Sequence, residues 1–190
     1  MRFYGIVFLS LGCFASMGHA AEVNIATLSC AKYQNEFIAS PGSTGGEDPI
    51  NTMMWLFGYS VAQSGAHVMY GDALAGFGFA LDAQCKDHPA MSLLEALAAV
   101  KPDAKNPMDL TALECQTFAA RHIELVQSDA ESAKTIMMWL FGFGVAKSGG
   151  HIFDPGAVGN FEAALMSDCK MYPGRNLFDE LAAVKFGKSK

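Results

Sequence analysis

The sequence predicts an all-α protein built from two tandem copies of a small four-helix domain, each closed by one disulfide. Three observations predict this architecture. Apolar residues recur at helical spacing, the chain repeats itself in register, and each copy holds one early and one late cysteine. Of the 190 residues, 51% are hydrophobic and 17% are charged, so the chain can form packed cores and is not disordered.

The first twenty residues have the layout of a secretory signal peptide. Arg2 gives a positive start, residues 5–14 form an apolar run, and small residues lead to Ala20. We expect residues 1–20 to be removed and the rest of the chain to be exported. The alternative is lipid attachment at Cys13, although the residues before it fit that motif poorly.

The charge balance of residues 21–190 excludes one class of partner. These residues hold 12 lysines and arginines against 19 aspartates and glutamates, a net charge of −7 near pH 7. An acidic chain without a basic patch gives nucleic acid no electrostatic contact. The apolar runs are also too short to span a bilayer, so we expect no transmembrane segment in the mature chain.

The internal repeat is clearest around the two tryptophans. Residues 53–58 recur as residues 137–142, and the match continues 84 residues apart to a shared Leu-Ala-Ala-Val-Lys sequence. The early cysteines are 85 residues apart, which requires a length change of one residue between cysteine and tryptophan. We therefore predict a first repeat over residues 21–101, a linker over 102–107, and a second repeat over 108–190.

Four cysteines remain after signal removal, and three disulfide pairings are formally open. Duplication favours Cys30–Cys85 and Cys115–Cys169, because an ancestral single copy could close only on itself. Each bond would close a loop worth about 4 kcal/mol in the chain-entropy treatment. The alternative, a metal site, would need closely spaced cysteine pairs, which the sequence lacks.

Each repeat is expected to contain four helical segments. In the first repeat they cover residues 27–38, 52–63 and 71–85, and a last segment that begins at Ser92. In the second repeat, Thr111 and Glu114 predict a capping box at the first helix, and Asn176 begins the last. Gly58 and Gly142 stand inside the second helices, which predicts close packing against a neighbour.

Two groups of side chains are candidates for function. His67 and His151 occupy equivalent positions and are candidates for a pH switch, the alternative being helix-end histidines that bond to free carbonyls. The methionine- and aromatic-rich strings are candidates for an adaptable binding surface, the alternative being core. These candidates are Met53, Met54, Trp55, Leu56, Phe57, Met137, Met138, Trp139, Leu140 and Phe141.

No catalytic constellation recurs in both repeats. The sequence contains no repeated carboxylate pair, phosphate loop or cysteine–histidine pair in a catalytic arrangement. We therefore predict that the protein is not an enzyme and has no catalytic, cofactor-binding or metal-binding residues.

The order of landmark residues in each repeat resembles the HdeA/HdeB family. The order is a cysteine, an aromatic residue, Trp-x-x-Gly-aromatic, a second cysteine, a proline and a leucine. In the first repeat these are Cys30, Tyr33, Trp55, Gly58, Tyr59, Cys85, Pro89 and Leu93; in the second they are Cys115, Phe118, Trp139, Gly142, Phe143, Cys169, Pro173 and Leu177. The likeness covers nearly all of the mature chain twice, whereas family members are usually short single domains with more lysines.

The resemblance implies two HdeA-like domains and a periplasmic acid-stress chaperone. Such a protein would loosen at low pH and bind unfolded or partly unfolded periplasmic proteins, here with the repeats packed as an intrachain pseudo-dimer. At pH 2 residues 21–190 would carry about +16, from 12 basic side chains and four histidines. The alternative is a periplasmic binding or inhibitor module of the immunity type, which would act with a rigid fold at neutral pH.

Overall fold

The computed structural model describes residues 22–38, 48–70, 73–100 and 107–184. The predicted signal peptide, including Cys13, lies outside the described residues, as does the predicted linker except for Pro107. The boundaries of the two repeats therefore stay predictions, and the fold is described from the four ranges above.

Each repeat contributes four α-helices and two short strands to the described part of the chain, which confirms the all-α class. The first repeat contains β1 (Val23–Asn24), α1 (Cys30–Tyr33), α2 (Pro49–Gln63), β2 (Val68–Tyr70), α3 (Leu74–Asp87) and α4 (Leu93–Ala99). The second contains β3 (Pro107–Asp109), α5 (Cys115–Ser128), α6 (Ala130–Lys147), β4 (Ile152–Phe153), α7 (Val158–Met171) and α8 (Leu177–Ala183). A π-helical turn over Gln34–Ile38 extends α1.

Helix ends follow the polar residues and glycines that flank the apolar runs. Ser92 and Glu95 form a complete capping box at the start of α4. The Asn176 side chain accepts from the Asp179 amide at the equivalent start of α8. Beyond α2 and α6, Gly65 and Gly149 adopt φ values of 76° and 74°, a left-handed conformation that favours glycine and stops the helix.

The predicted capping box of Thr111 and Glu114 is wrong. Thr111 lies in a 3₁₀ turn, where the Asp109 carboxylate accepts from both its amide (2.8 Å) and its hydroxyl (2.7 Å). Glu114 directly precedes α5, and its backbone pairs with that of Asn176 in an isolated bridge. Because the Thr111 amide donates to the Asp109 carboxylate, Thr111 does not cap a longer helix, and α5 begins at Cys115.

A disulfide joins the first and third helices of each repeat. Cys30–Cys85 links α1 to α3, and Cys115–Cys169 links α5 to α7. The Cα atoms are 4.8 Å apart in both bonds, and all four cysteines are buried. The two bonds are therefore equivalent elements of two disulfide-closed helical units.

The strands cross between the repeats. β1 of the first repeat pairs antiparallel with β4 of the second, and β2 pairs in the same way with β3. The Ile25 amide donates to the His151 carbonyl (3.0 Å), and the Leu110 amide donates to the His67 carbonyl (2.8 Å). The repeats are thus joined by two equivalent strand pairs, each made of one strand from each repeat.

Helices α2 and α6 lie at the centre of the described fold and pack against each other along their length. The flanking helices of each repeat pack around its own central helix, α3 and α4 on α2, and α5, α7 and α8 on α6. One hydrophobic cluster runs continuously through both repeats. We call the contact between α2 and α6 the seam.

Candidate functional site

The seam is closest where its two glycines meet. A Cβ atom added to Gly58 would collide with the main-chain carbonyl of Trp139, and one added to Gly142 would collide with that of Trp55. The absence of side chains at these two positions is what allows the helices to approach this far. The prediction of close packing at Gly58 and Gly142 is confirmed.

The tryptophans fill the seam on either side of the glycines, and both are fully buried. The Trp55 ring stacks with Tyr59 at a centroid distance of 5.3 Å and lies 5.1 Å from Phe153 of the other repeat. Trp139 stacks in the same way with Phe143 at 5.3 Å. Aromatic pairs at these distances add to the stability gained by burial alone.

The ten candidates for a binding surface all belong to these two central helices. Eight are buried and two, Met53 and Met54, are half-buried. Met53 lies near Gly78 of α3, where a Cβ would be 3.6 Å from the methionine Cε. In the folded protein these side chains are thus mostly core. Some lie in the seam, whereas Phe57 packs against Phe77 and Phe141 against Phe161 within their own repeats.

The seam also holds two orphaned polar atoms. The indole Nε1 atoms of Trp55 and Trp139 are buried and have no hydrogen-bond partner among the described residues. A buried donor without a partner costs about 1–3 kcal/mol relative to a hydrated one. Opening of the seam would allow water to bond to both indole N–H groups.

His151 lies where the repeats meet and contacts Tyr59 of the first repeat. The Tyr59 hydroxyl donates to the Gly150 carbonyl oxygen (3.0 Å) and lies 2.6 Å from His151 Nδ1. One hydroxyl hydrogen serves one acceptor at a time, so Nδ1 must donate while Tyr59 bonds to Gly150. Burial also raises the pKa of Tyr59 to about 12.

His67 occupies the equivalent place in the first repeat with different partners. Its ring meets Phe178 of the second repeat edge-on at a centroid distance of 4.4 Å. Hydrogen bonds from Thr111 hold the pKa of the nearby Asp109 below its usual value, with a smaller contribution from His67. Both pH-switch candidates thus contact the opposite repeat, and their role in any switch stays a prediction.

Sequence reasoning missed two buried ionisable side chains of the second repeat. His122 is 5% exposed, with Nε2 2.7 Å from Glu162 Oε1. Glu180 is 2% exposed and accepts from Arg175 Nη1 at 3.0 Å. Their counterparts in the first repeat are Phe37 and Ala96. A position-by-position comparison of the two repeats could have identified both side chains.

Several carboxylates at the surface are held in their charged form by local donors. Lys86 bonds to Asp82 (2.6 Å) and lowers its pKa, assisted by Gln34. Hydrogen bonds from Ser92 lower the pKa of Glu95, and those from Ser132 lower that of Asp129. Each of these groups stabilises the fold above its ordinary pKa, and that contribution is lost as the pH falls through the lowered value.

The described residues contain no cluster of three or more histidine, cysteine, aspartate or glutamate side chains that could hold a metal ion. Within the same ranges, no helix has the length and hydropathy needed to cross a membrane.

Comparison with known proteins identifies a family. A model of the HdeA/HdeB family matches residues 94–179, a range that begins within α4, contains β3, α5, α6, β4 and α7, and ends within α8. No curated protein and no solved structure matches the chain. Members of the matched family are periplasmic acid-stress chaperones and not enzymes. Residues 94–179 are thus similar to the HdeA/HdeB family.

Proposed function

We propose that this protein is a periplasmic acid-stress chaperone that stores its client-binding surface in the seam. At neutral pH the repeats are closed on each other, and at low pH they separate and expose α2 and α6 to unfolding proteins. The observation that carries the proposal is the burial of eight of the ten adaptable apolar candidates in these two helices. Methionine and aromatic side chains suit the capture of varied apolar segments.

The proposal includes an intrachain pseudo-dimer. It is supported by the mutual approach of Gly58 and Gly142 and by the reciprocal exchange of strands between repeats. Opening such a pair would expose equivalent faces of two helices within one molecule. The second repeat carries the family match, and the internal repeat extends the likeness to the first.

Acid would loosen the pseudo-dimer by two routes. The mature chain changes from about −7 to about +16, so the repeats come to repel each other. The carboxylates with lowered pKa, such as Asp82, lose their stabilising contribution below about pH 4.

The disulfides would preserve each repeat while the seam opens. Thiol–disulfide exchange requires a thiolate, which acid removes, so Cys30–Cys85 and Cys115–Cys169 would persist at low pH. Each bond lies within one repeat and none joins the two. The repeats can therefore separate without breaking a covalent bond, and closure on return to neutral pH starts from compact units.

A cross-link between the repeats tests the proposal. Asn24 and Ile152 face each other in the β1–β4 pair, outside the Ile25–His151 hydrogen bond, where opposed Cα atoms come within about 4.5 Å. We expect residues 21–190 carrying Asn24→Cys and Ile152→Cys to form a disulfide that locks the repeats. At pH 2 this variant should no longer suppress the light scattering of an acid-denatured client.

The matched control is the Asn24→Ser, Ile152→Ser variant, which loses the same side chains without gaining a bond. It should protect the client as well as the wild type does. Peptide mapping without reduction must first establish that the native disulfides are intact in the cross-linked variant. Full protection by the locked protein would contradict the proposal, and so would failure of the wild type to protect.

A further inference from the structure

A cavity of about 100 Å³ lies between α5, α6 and α8 of the second repeat and β2 of the first. Its wall is almost wholly apolar and includes Phe118, Leu140 and Leu177. Two basic side chains, Arg121 and His122, also line it, mainly through their carbon atoms. An apolar cavity with a few polar groups nearby is the usual form of a small-ligand site.

The basic groups differ in their availability to a ligand. His122 is buried, and its Nε2 is engaged by Glu162 at 2.7 Å. Arg121 is exposed and forms no ion pair with any side chain in the described ranges. Leu125, one helical turn after Arg121, also lines the cavity and is half-exposed, so the cavity reaches the surface along this side of α5. The exposed Arg121 side chain lies on the same side.

The equivalent place beside the first repeat provides an internal comparison. There, Phe153 of the second repeat corresponds to Met69, and Glu36 and Phe37 correspond to Arg121 and His122. Phe153 and Phe37 are buried rings, and Phe37 stacks on Tyr33 at 5.9 Å. The cavity therefore has a smaller side chain in its wall, and a cation where the equivalent place has an anion. Equivalent helices surround this place in both repeats, so the differences are confined to the cavity.

We infer that this cavity binds a short aliphatic carboxylate, with the alkyl chain inside and the carboxylate on Arg121. A volume of about 100 Å³ holds about three or four methylene-sized groups, which corresponds to an acid of about four to six carbons. An exposed guanidinium pairs with a carboxylate through two parallel hydrogen bonds. Binding takes place in the closed protein at neutral pH and is independent of the proposed chaperone activity.

Titration of ¹⁵N-labelled residues 21–190 with hexanoate at pH 7 tests this inference. Amide shifts should be confined to the residues around the cavity, with a dissociation constant on the order of 1 mM. From butanoate to hexanoate the affinity should rise roughly fourfold per methylene, and it should stop rising by decanoate, when the cavity is full. An affinity that continues to rise to decanoate would overturn the inference.

Two variants, chosen by comparing equivalent positions of the two repeats, complete the test. Met69→Phe installs the residue that the second repeat has at the equivalent position, Phe153, and should reduce hexanoate affinity at least tenfold. Arg121→Gln should do the same while leaving hexan-1-ol binding unchanged, and this exposed position decides the matter if Met69→Phe does not fold. Equal affinity for hexanoate and hexan-1-ol would overturn the inference. Binding of N-acetylleucinamide as tight as that of hexanoate would also overturn the inference, because the cavity would then be a site for peptide side chains.

Discussion

Gly58 lies against the main-chain carbonyl of Trp139 with no room for a side chain between them. The same relationship joins Gly142 to the carbonyl of Trp55, so each central helix receives the other at its glycine. This double contact sets the depth of the seam and with it the burial of both tryptophans.

Alanine at either seam glycine should destabilise the closed fold. Gly58→Ala gains up to ~1 kcal/mol of helix preference, but its methyl group meets a backbone carbonyl that cannot turn away. We expect a net loss of about 1–3 kcal/mol in the free energy of unfolding. Urea denaturation at pH 7, followed by tryptophan fluorescence, measures it.

Gly76 provides the matched control, since it lies in α3 with open space around its Cα. Gly76→Ala should be neutral or stabilising by up to ~1 kcal/mol. Equal effects at Gly58 and Gly76 would mean that α2 and α6 are not in backbone contact at Gly58.

Tyr59→Phe removes a bond between the repeats and installs the residue that the second repeat has at this position, Phe143. We expect a loss of about 1–2 kcal/mol at pH 7, because the Gly150 carbonyl and His151 Nδ1 lose a partner. A double-mutant cycle with His151→Ala should give a non-zero coupling energy. Strictly additive effects would indicate that the two side chains do not interact.

The same variant has a pH signature in alkali. With the pKa of Tyr59 raised to about 12, the contribution of its hydroxyl is complete below pH 10 and lost as the pH rises. The difference in stability between wild type and Tyr59→Phe should therefore shrink from about pH 10 to about pH 12. A constant difference across that range would show that the hydroxyl is not buried at the contact.

Most of the helices could be predicted from the sequence, because each sequence pattern that indicates a helix occurs in both repeats. The second helices, the glycine contact and the start of α4 at Ser92 all matched expectation. The short strands did not, because β1 and β4 hold only two residues each and pair across a separation of more than 120 residues. Such pairing leaves almost no local pattern.

Asp82→Asn should lower stability more at pH 7 than at pH 2. Lys86 and Gln34 stabilise the ionised carboxylate and lower its pKa, so the wild type loses this contribution on acidification and the variant has none to lose. The effect should stay under about 1 kcal/mol, because the ion pair is at the surface. Thermal unfolding at both pH values measures it. A loss of similar size at pH 2 would contradict the assignment.

The pair of Arg175 and Glu180 should stabilise the second repeat at neutral pH. Arg175→Met alone leaves a buried carboxylate unpaired and should lower the free energy of unfolding at pH 7. The double variant Arg175→Met, Glu180→Ala carries the residues of the first repeat, Met91 and Ala96. It should recover most of that loss in urea denaturation at pH 7. A double variant no more stable than Arg175→Met would contradict the assignment.

The candidate site was only partly predictable. Helical spacing placed the methionine- and aromatic-rich strings on two helices, and it left open whether they formed core or surface, because either arrangement gives the same pattern. Their burial depends on contact with the other repeat, which is a long-range relationship. The ionisable side chains of α5 and α8 were overlooked because a single glutamate or histidine in a helix resembles a solvated residue until its neighbours are known.

The most direct test of the seam uses its own fluorophores. Trp55 and Trp139 are the two tryptophans of the chain, and both are buried in the seam. Emission and acrylamide quenching of residues 21–190 should be measured from pH 7 to 2, in parallel with protection of an acid-denatured client. We predict that the emission shifts to the red and quenching rises over the same pH interval in which protection appears. Protection that develops while both tryptophans stay blue-emitting and unquenched would contradict the account.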